Sequence, residues 1–166
     1  MIKVIGIDPG LSATGIGIIR GQGSKIEGYS FGSINTSTKS ALPKRLDNIF
    51  SKLAQILSQE KPDLMVVEDV YSLKKYPKSG IVLGQVTGVV LLAGFKADVP
   101  STEIAVREAK QILTGNGNAT KLQLEKAVRH RLNHKEPIRP SHAADAIGLA
   151  LIGLYRFPDG LSKQKG

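Results

Sequence analysis

Cysteine is absent from the 166 residues, which excludes a disulfide framework, a thiol nucleophile and any zinc site built on thiolates. A bilayer-spanning run is missing too. The longest apolar stretch, Ile81–Phe95, has 15 residues and is interrupted by Gln85 and Thr87, too short to cross a membrane. Lys3 and Asp8 break the first apolar run, so the N-terminus does not read as a signal peptide. These absences set a cytoplasmic protein with no membrane association as the expectation. Acid is also scarce: 14 Asp and Glu stand against 23 Lys and Arg, a net charge of +9. Such an excess on one domain-sized chain favours a polyanionic partner, most often nucleic acid. Charge alone does not separate DNA from RNA or from an anionic membrane surface.

Asp8 is the only acid in the first 26 residues. It ends the β-branched run Val4–Ile7, and a turn-forming segment separates it from a second run, Ile16–Ile19. Two strands joined by a tight turn are predicted. A carboxylate at the mouth of an apolar hairpin is costly unless a cation or a hydrogen-bond donor meets it. The plain alternative is an Asp that opens the turn before Pro9 and Gly10. Lys25–Ile34 reads as a third strand, completing an antiparallel meander. Leu42, Leu46, Ile49, Phe50, Leu53, Ile56 and Leu57 then recur at helical spacing and predict an amphipathic helix. Lys61-Pro62 stops it, and Leu64–Val67 is a short strand ending at Glu68. A strand entered through a helical crossover tends to run parallel to its predecessor. Asp8 and Glu68 would then face one another at adjacent strand ends.

The segment Tyr71–Gly80 holds Lys74, Lys75 and Lys78 with two tyrosines and no acid. It reads as a loop suited either to solvent or to phosphate contacts and base stacking. Ser79–Phe95 is apolar nearly all round and predicts a buried helix, in the core or at a subunit contact. The last strand is expected around Val99, followed by a helix over Thr102–Leu113 carrying Arg107 and Lys110. Thr114–Thr120 is a turn that lacks the Gly-Lys-Ser/Thr ending of a P-loop, and a helix starts near Lys121. Between Arg107 and Arg139 there are eight Lys/Arg against three Glu, a lopsided face that favours nucleic acid. Ser141–Tyr155 is the final helix. His142 and Asp145, three residues apart, lie on one of its faces. Asp145 is set among alanines and aliphatics that would solvate it poorly. A single domain over residues 1–156 and a loose tail over 157–166 are expected.

Three acids, Asp8, Glu68 and Asp145, thus end or interrupt apolar elements remote in the chain. If they converge, hard divalent cations with oxygen ligands neutralise their repulsion. Two such ions can activate a water and stabilise the leaving oxygen of a phosphodiester. The sequence resembles the RuvC family of Holliday junction resolvases over nearly its whole length. The residues that carry the likeness are Gly6–Gly10 with Thr14-Gly15, Val66–Glu68, the Gly115–Lys121 turn, and His142–Asp145. The resemblance implies an α/β, RNase H-like fold: a five-stranded mixed sheet flanked by helices. It implies a homodimer, in contact through the helix from Ser79, that cuts a four-way DNA junction by symmetric paired nicks with Mg²⁺, and the RuvA–RuvB branch-migration complex as a partner. The family's catalytic acids fall on Asp8, Glu68 and Asp145, its basic residues on Lys110 and Lys121, and its junction-stacking aromatic on Tyr71. Many members have Asp where this chain has His142, although His also occurs. That exchange removes one negative charge and predicts a weaker second metal site that tolerates Mn²⁺ better. His142 could instead position water or protonate the leaving oxygen. The alternatives left open are a related nuclease for other branched DNA or RNA, a non-catalytic junction binder, and an ATP-binding protein with a phosphate-gripping hairpin.

Overall fold

In the computed structural model, residues 1–69 and 80–157 are described in full, together with the helical backbone of 77–79. The opening meander forms as expected: β1 (Ile2–Asp8), β2 (Ala13–Gln22) and β3 (Lys25–Asn35) pair antiparallel. Helix α1 (Leu42–Glu60) follows, with Pro43 in its first turn and Lys61 as its left-handed C-cap. Then come β4 (Leu64–Asp69), α2 (Pro77–Lys96), β5 (Ser101–Ala105), α3 (Val106–Thr114), α4 (Lys121–Arg131) and α5 (Ser141–Arg156). The strands lie in the order β3-β2-β1-β4-β5, with β4 parallel to both β1 and β5. This is the mixed five-stranded sheet that the resemblance implies.

Strand alternation divides the core into two layers. Ile5, Ile7, Met65 and Val67 face α1 and α2, where they meet Ile49, Leu53, Val86 and Val90. Val4, Leu64 and Val66 face α5, which packs with α3 and α4 on the other side. The contact between α5 and the sheet is unusually intimate. Gly6 and Gly17 are cross-strand partners, and Gly15 lies two residues from Gly17 on the same face. A Cβ on Gly6 would strike the Ala146 carbonyl, one on Gly15 the His142 carbonyl, and one on Gly17 the backbone of Ile147. The three glycines form a seat on which the main chain of α5 rests, and its run Ala146–Leu154 is buried throughout.

Three expectations are corrected. The last strand is Ser101–Ala105, not a segment around Val99, and the following helix starts at Val106 rather than Thr102. Glu103 and Ala105 favour helix locally. Parallel pairing from Met65–Ser101 to Asp69–Ala105, with Ile104 buried, overrides that preference. Helix α2 takes in Pro77 to Gly80, assigned above to the loop; proline suits a first helical turn because its missing N–H is not needed there. Within the single chain α2 leaves Ile81, Leu92 and Phe95 67%, 48% and 80% exposed, so of the two places expected for it, core or subunit contact, the core alone does not cover it. At the C-terminus, Phe157 packs against the α5 side of the core; residues 158–166 of the expected tail lie outside the described residues.

Candidate active site

The alternation that places Val4 and Gly6 against α5 also turns Asp8 toward it, and Glu68 follows Leu64 and Val66 in the same way. Ile7 and Val67 are register partners, so the two acids stand side by side at the ends of adjacent parallel strands. The glycine seat brings the first turn of α5 down over them. His142 Nδ1 lies 2.6 Å from Asp8 Oδ2, and Asp145, one turn further along, faces the same space. Lys121 opens α4 and reaches Asp145 Oδ2 at 3.5 Å. A capping box holds that helix end: Gln123 N–H donates to Thr120 Oγ1 and Thr120 N–H to Gln123 Oε1. Asp8, Glu68, Lys110, Lys121, His142 and Asp145 all line one cavity of about 700 Å³. Its remaining wall is largely aliphatic, including Leu11, Val82, Leu83 and Leu149.

The acids repel one another in a poorly hydrated place. Burial pushes the Glu68 carboxyl up to about 8, with the charges of Asp8 and then Asp145 adding to the rise, against the pull of Lys121 and His142. Asp145 is raised as well, first by burial and then by Asp8. The His142 imidazole is raised chiefly by its hydrogen bond to Asp8. Asp8 is hydrogen-bonded to His142 and Asp145 is paired with Lys121, whereas Glu68 has no hydrogen bond or ion pair among the described residues. Among those residues no three acid or imidazole donors converge tightly enough to hold a metal ion as they stand. The donor set itself suits a hard divalent cation: three carboxylates and an imidazole open on one cavity, one of them lacking a counter-charge.

Of the other residues singled out from sequence, Lys110 stands in the cavity wall. Arg107 lies along the turn at Gly117 and is not among the lining residues. Tyr71, Lys74 and Lys75 lie outside the described residues, and of Lys78 only the backbone, in the first turn of α2, is described. Sequence reasoning missed the aliphatic wall, to which α2 and α3 contribute from opposite sides. Thr14 carried part of the resemblance, but its role did not show: it is fully buried, and its Oγ1 donates to the Gly10 carbonyl at 2.8 Å and ties down the turn after Asp8. The glycine seat had a signal, the spacing of Gly15 and Gly17 in a strand, but only the partner strand gives it meaning.

Comparison with known proteins follows the geometry closely. The family profile described as crossover junction endodeoxyribonuclease RuvC matches residues 4–153. The crossover junction endodeoxyribonuclease RuvC of Carboxydothermus hydrogenoformans is 40% identical over 156 residues, 94% of this chain and 98% of that one. Its counterpart in Vibrio campbellii is 41% identical over 152 residues, 91% of this chain and 86% of that one. Among solved structures, T. thermophilus RuvC in complex with Holliday junction substrate superposes with a TM-score of 0.86 at 31% identity, covering 93% of this chain and 94% of that chain.

Proposed function

The chain belongs to the RuvC family of crossover junction endodeoxyribonucleases, and from that premise we propose that Asp8, Glu68, His142 and Asp145 cut the strands of a four-way DNA junction. The fold is RNase H-like, and the activity is that of an endonuclease resolving Holliday junctions in DNA recombination and repair. The observation that carries the site assignment is the shared cavity: three acids from β1, β4 and α5 opening beside Lys110 and Lys121.

The family is metal-dependent; Asp8, Glu68, Asp145 and His142 would hold two ions, and Mg²⁺ suits that oxygen-rich donor set. Bound there, the metal supplies a polarised phosphodiester and an activated water. The protein's own side chains do the rest. Lys121 and Lys110 draw the scissile phosphate into the cavity mouth and offset its charge against the acids. The aliphatic wall keeps bulk water from the reacting group and strengthens those contacts. With one ring nitrogen on Asp8, His142 has a single nitrogen left, which either joins the metal's ligands or, in place of that, holds or delivers a proton at the leaving oxygen. Mn²⁺ is expected to replace Mg²⁺ readily, since imidazole is a softer ligand than carboxylate.

Paired nicks call for two copies of the site. The exposed face of α2, with Ile81, Leu92 and Phe95 around Gly84 and Gly88, is the proposed homodimer contact. A branch-migration motor of the RuvA–RuvB kind is the proposed partner at the junction. No helix among the described residues is long and apolar enough to cross a membrane, in keeping with a cytoplasmic site of action. The test compares wild type with Asp8→Asn on a synthetic junction and on linear duplex, with Mg²⁺ and with chelator. Symmetric, religatable nicks on the junction, lost in the variant while binding persists, support the assignment. Equal nicking by both proteins refutes it.

A further inference from the structure

The turn that carries Leu11 into the cavity has a second, outward side. Ser12 sits exposed on its crest and accepts a hydrogen bond from Arg45 Nη2 at 3.0 Å. Arg45 comes from the first turn of α1, and its Nε donates to Thr36 Oγ1 at 2.8 Å. Thr36 in turn donates its hydroxyl to the Leu11 carbonyl at 2.5 Å and its N–H to the Ser12 carbonyl at 3.1 Å. Ala13 pairs with Asn35 and Gly15 with Asp8, so β3 ends at the same end of the sheet as β1. Ser12 is four residues beyond Asp8, a separation that chain geometry limits to roughly 14 Å.

Arg45 forms no ion pair among the described residues. Two of the five N–H groups of a guanidinium are engaged here, and the other three have no partner among the described residues. No acid occurs anywhere between Glu27 and Asp47. An arginine that only braced the turn would account for the two hydroxyl contacts. It would not account for a guanidinium fixed in orientation and left without an ion-pair partner on the outer side of the turn whose inner side carries Leu11 into the cavity. A planar fork in that condition matches the oxygens of a phosphate diester.

We propose that Arg45, with Ser12 and Thr36, forms a second phosphate subsite that grips a backbone phosphate flanking the one that is cut. The proposal deepens the resolvase reading and rests on it. It assigns to the β1–β2 turn a double role: Asp8 on its inner side meets the scissile group, and the outer side registers the strand. Because Thr36 and Ser12 hold the guanidinium before DNA arrives, little side-chain freedom is lost on binding.

The test measures junction binding in an Asp8→Asn background over a series of salt concentrations, with Arg45→Ala, Arg45→Gln and Arg45→Lys added in turn. Loss of one phosphate contact makes the slope of log affinity against log salt shallower by about 0.9, equivalent to about eightfold weaker binding at 0.1 M salt. Arg45→Ala and Arg45→Gln are expected to show this, and Arg45→Lys to keep the slope. A neutral methylphosphonate at the cognate flanking position is expected to weaken the parent protein by a like factor and to leave Arg45→Ala unaffected. An unchanged slope in Arg45→Ala, with no methylphosphonate separating it from its parent, overturns the subsite. It would leave Arg45 as a brace, and in the protein that retains Asp8, Thr36→Val and Arg45→Ala should then impair cutting equally. A parent protein with no preference for junction over duplex would count against the resolvase reading alone, since slope and methylphosphonate effects can be read on any DNA it binds.

Discussion

Glu68→Gln separates the cost of the acid cluster from its use. In the metal-free native protein the Glu68 carboxyl keeps its proton up to about pH 8, against an ordinary value of 4.5. In the unfolded chain that proton leaves near 4.5. Between these limits the native state binds more protons than the unfolded state, so stability falls as pH rises. At pH 7 the loss attributable to Glu68 is about 3 kcal/mol, from 1.36 kcal/mol per unit. That corresponds to a melting temperature lower by roughly 6–12 °C for a chain of this size. Glutamine keeps the shape and removes the titration. In chelator, melting curves from pH 5 to 8.5 should therefore fall more steeply for wild type than for Glu68→Gln, and the two should diverge by that amount near neutrality. Asp145 and His142 are raised as well and contribute slopes of the same sign in both proteins. Millimolar Mg²⁺ should restore wild type and do little for the variant, which should also fail to cut. Parallel pH profiles, or equal rescue of both proteins by Mg²⁺, would refute the reasoning.

Other outcomes follow from the same geometry. Gly15→Ala drives a methyl group into the His142 carbonyl; overpacking against backbone should cost about 3 kcal/mol, measured by urea denaturation, with cutting reduced beyond what the unfolded fraction explains. His142→Ala should slow cutting more in Mn²⁺ than in Mg²⁺, checked by single-turnover rates in each metal; equal rates for variant and wild type would remove His142 from the site. Phe95→Glu places a charge on the exposed face of α2 and should shift sedimentation toward a monomer that binds junctions but no longer makes paired nicks.

Much of this was legible in the chain itself. The β-branched runs, the seven apolar positions of α1 and the Thr120 turn mark their elements because local preference and tertiary use agree there. The convergence of Asp8 and Glu68 could be anticipated from a parallel crossover, and the face they share follows from counting residues along two strands. The segment after Pro100 was misread for the opposite reason: its residues suit a helix, and only pairing with β4, distant in sequence, makes them a strand. Helix α2 could be placed only as core or subunit contact, because a composition apolar on every side does not say which side the same chain covers. Arg45 escaped notice because its significance lies in two hydroxyls brought to it by the ends of β2 and β3, not in any neighbour along α1.

Where α5 lies on Gly6, Gly15 and Gly17, main chain meets main chain with almost no side-chain layer between. A helix seated that way has no partial release: it cannot tilt or slide without parting from the sheet altogether. Amide protons over its buried length should exchange with solvent only when the whole molecule unfolds, later than those on the solvent face of α2. The alignment of His142 and Asp145 over the strand ends would then survive heating until global melting, so that activity vanishes at the melting temperature and not before it.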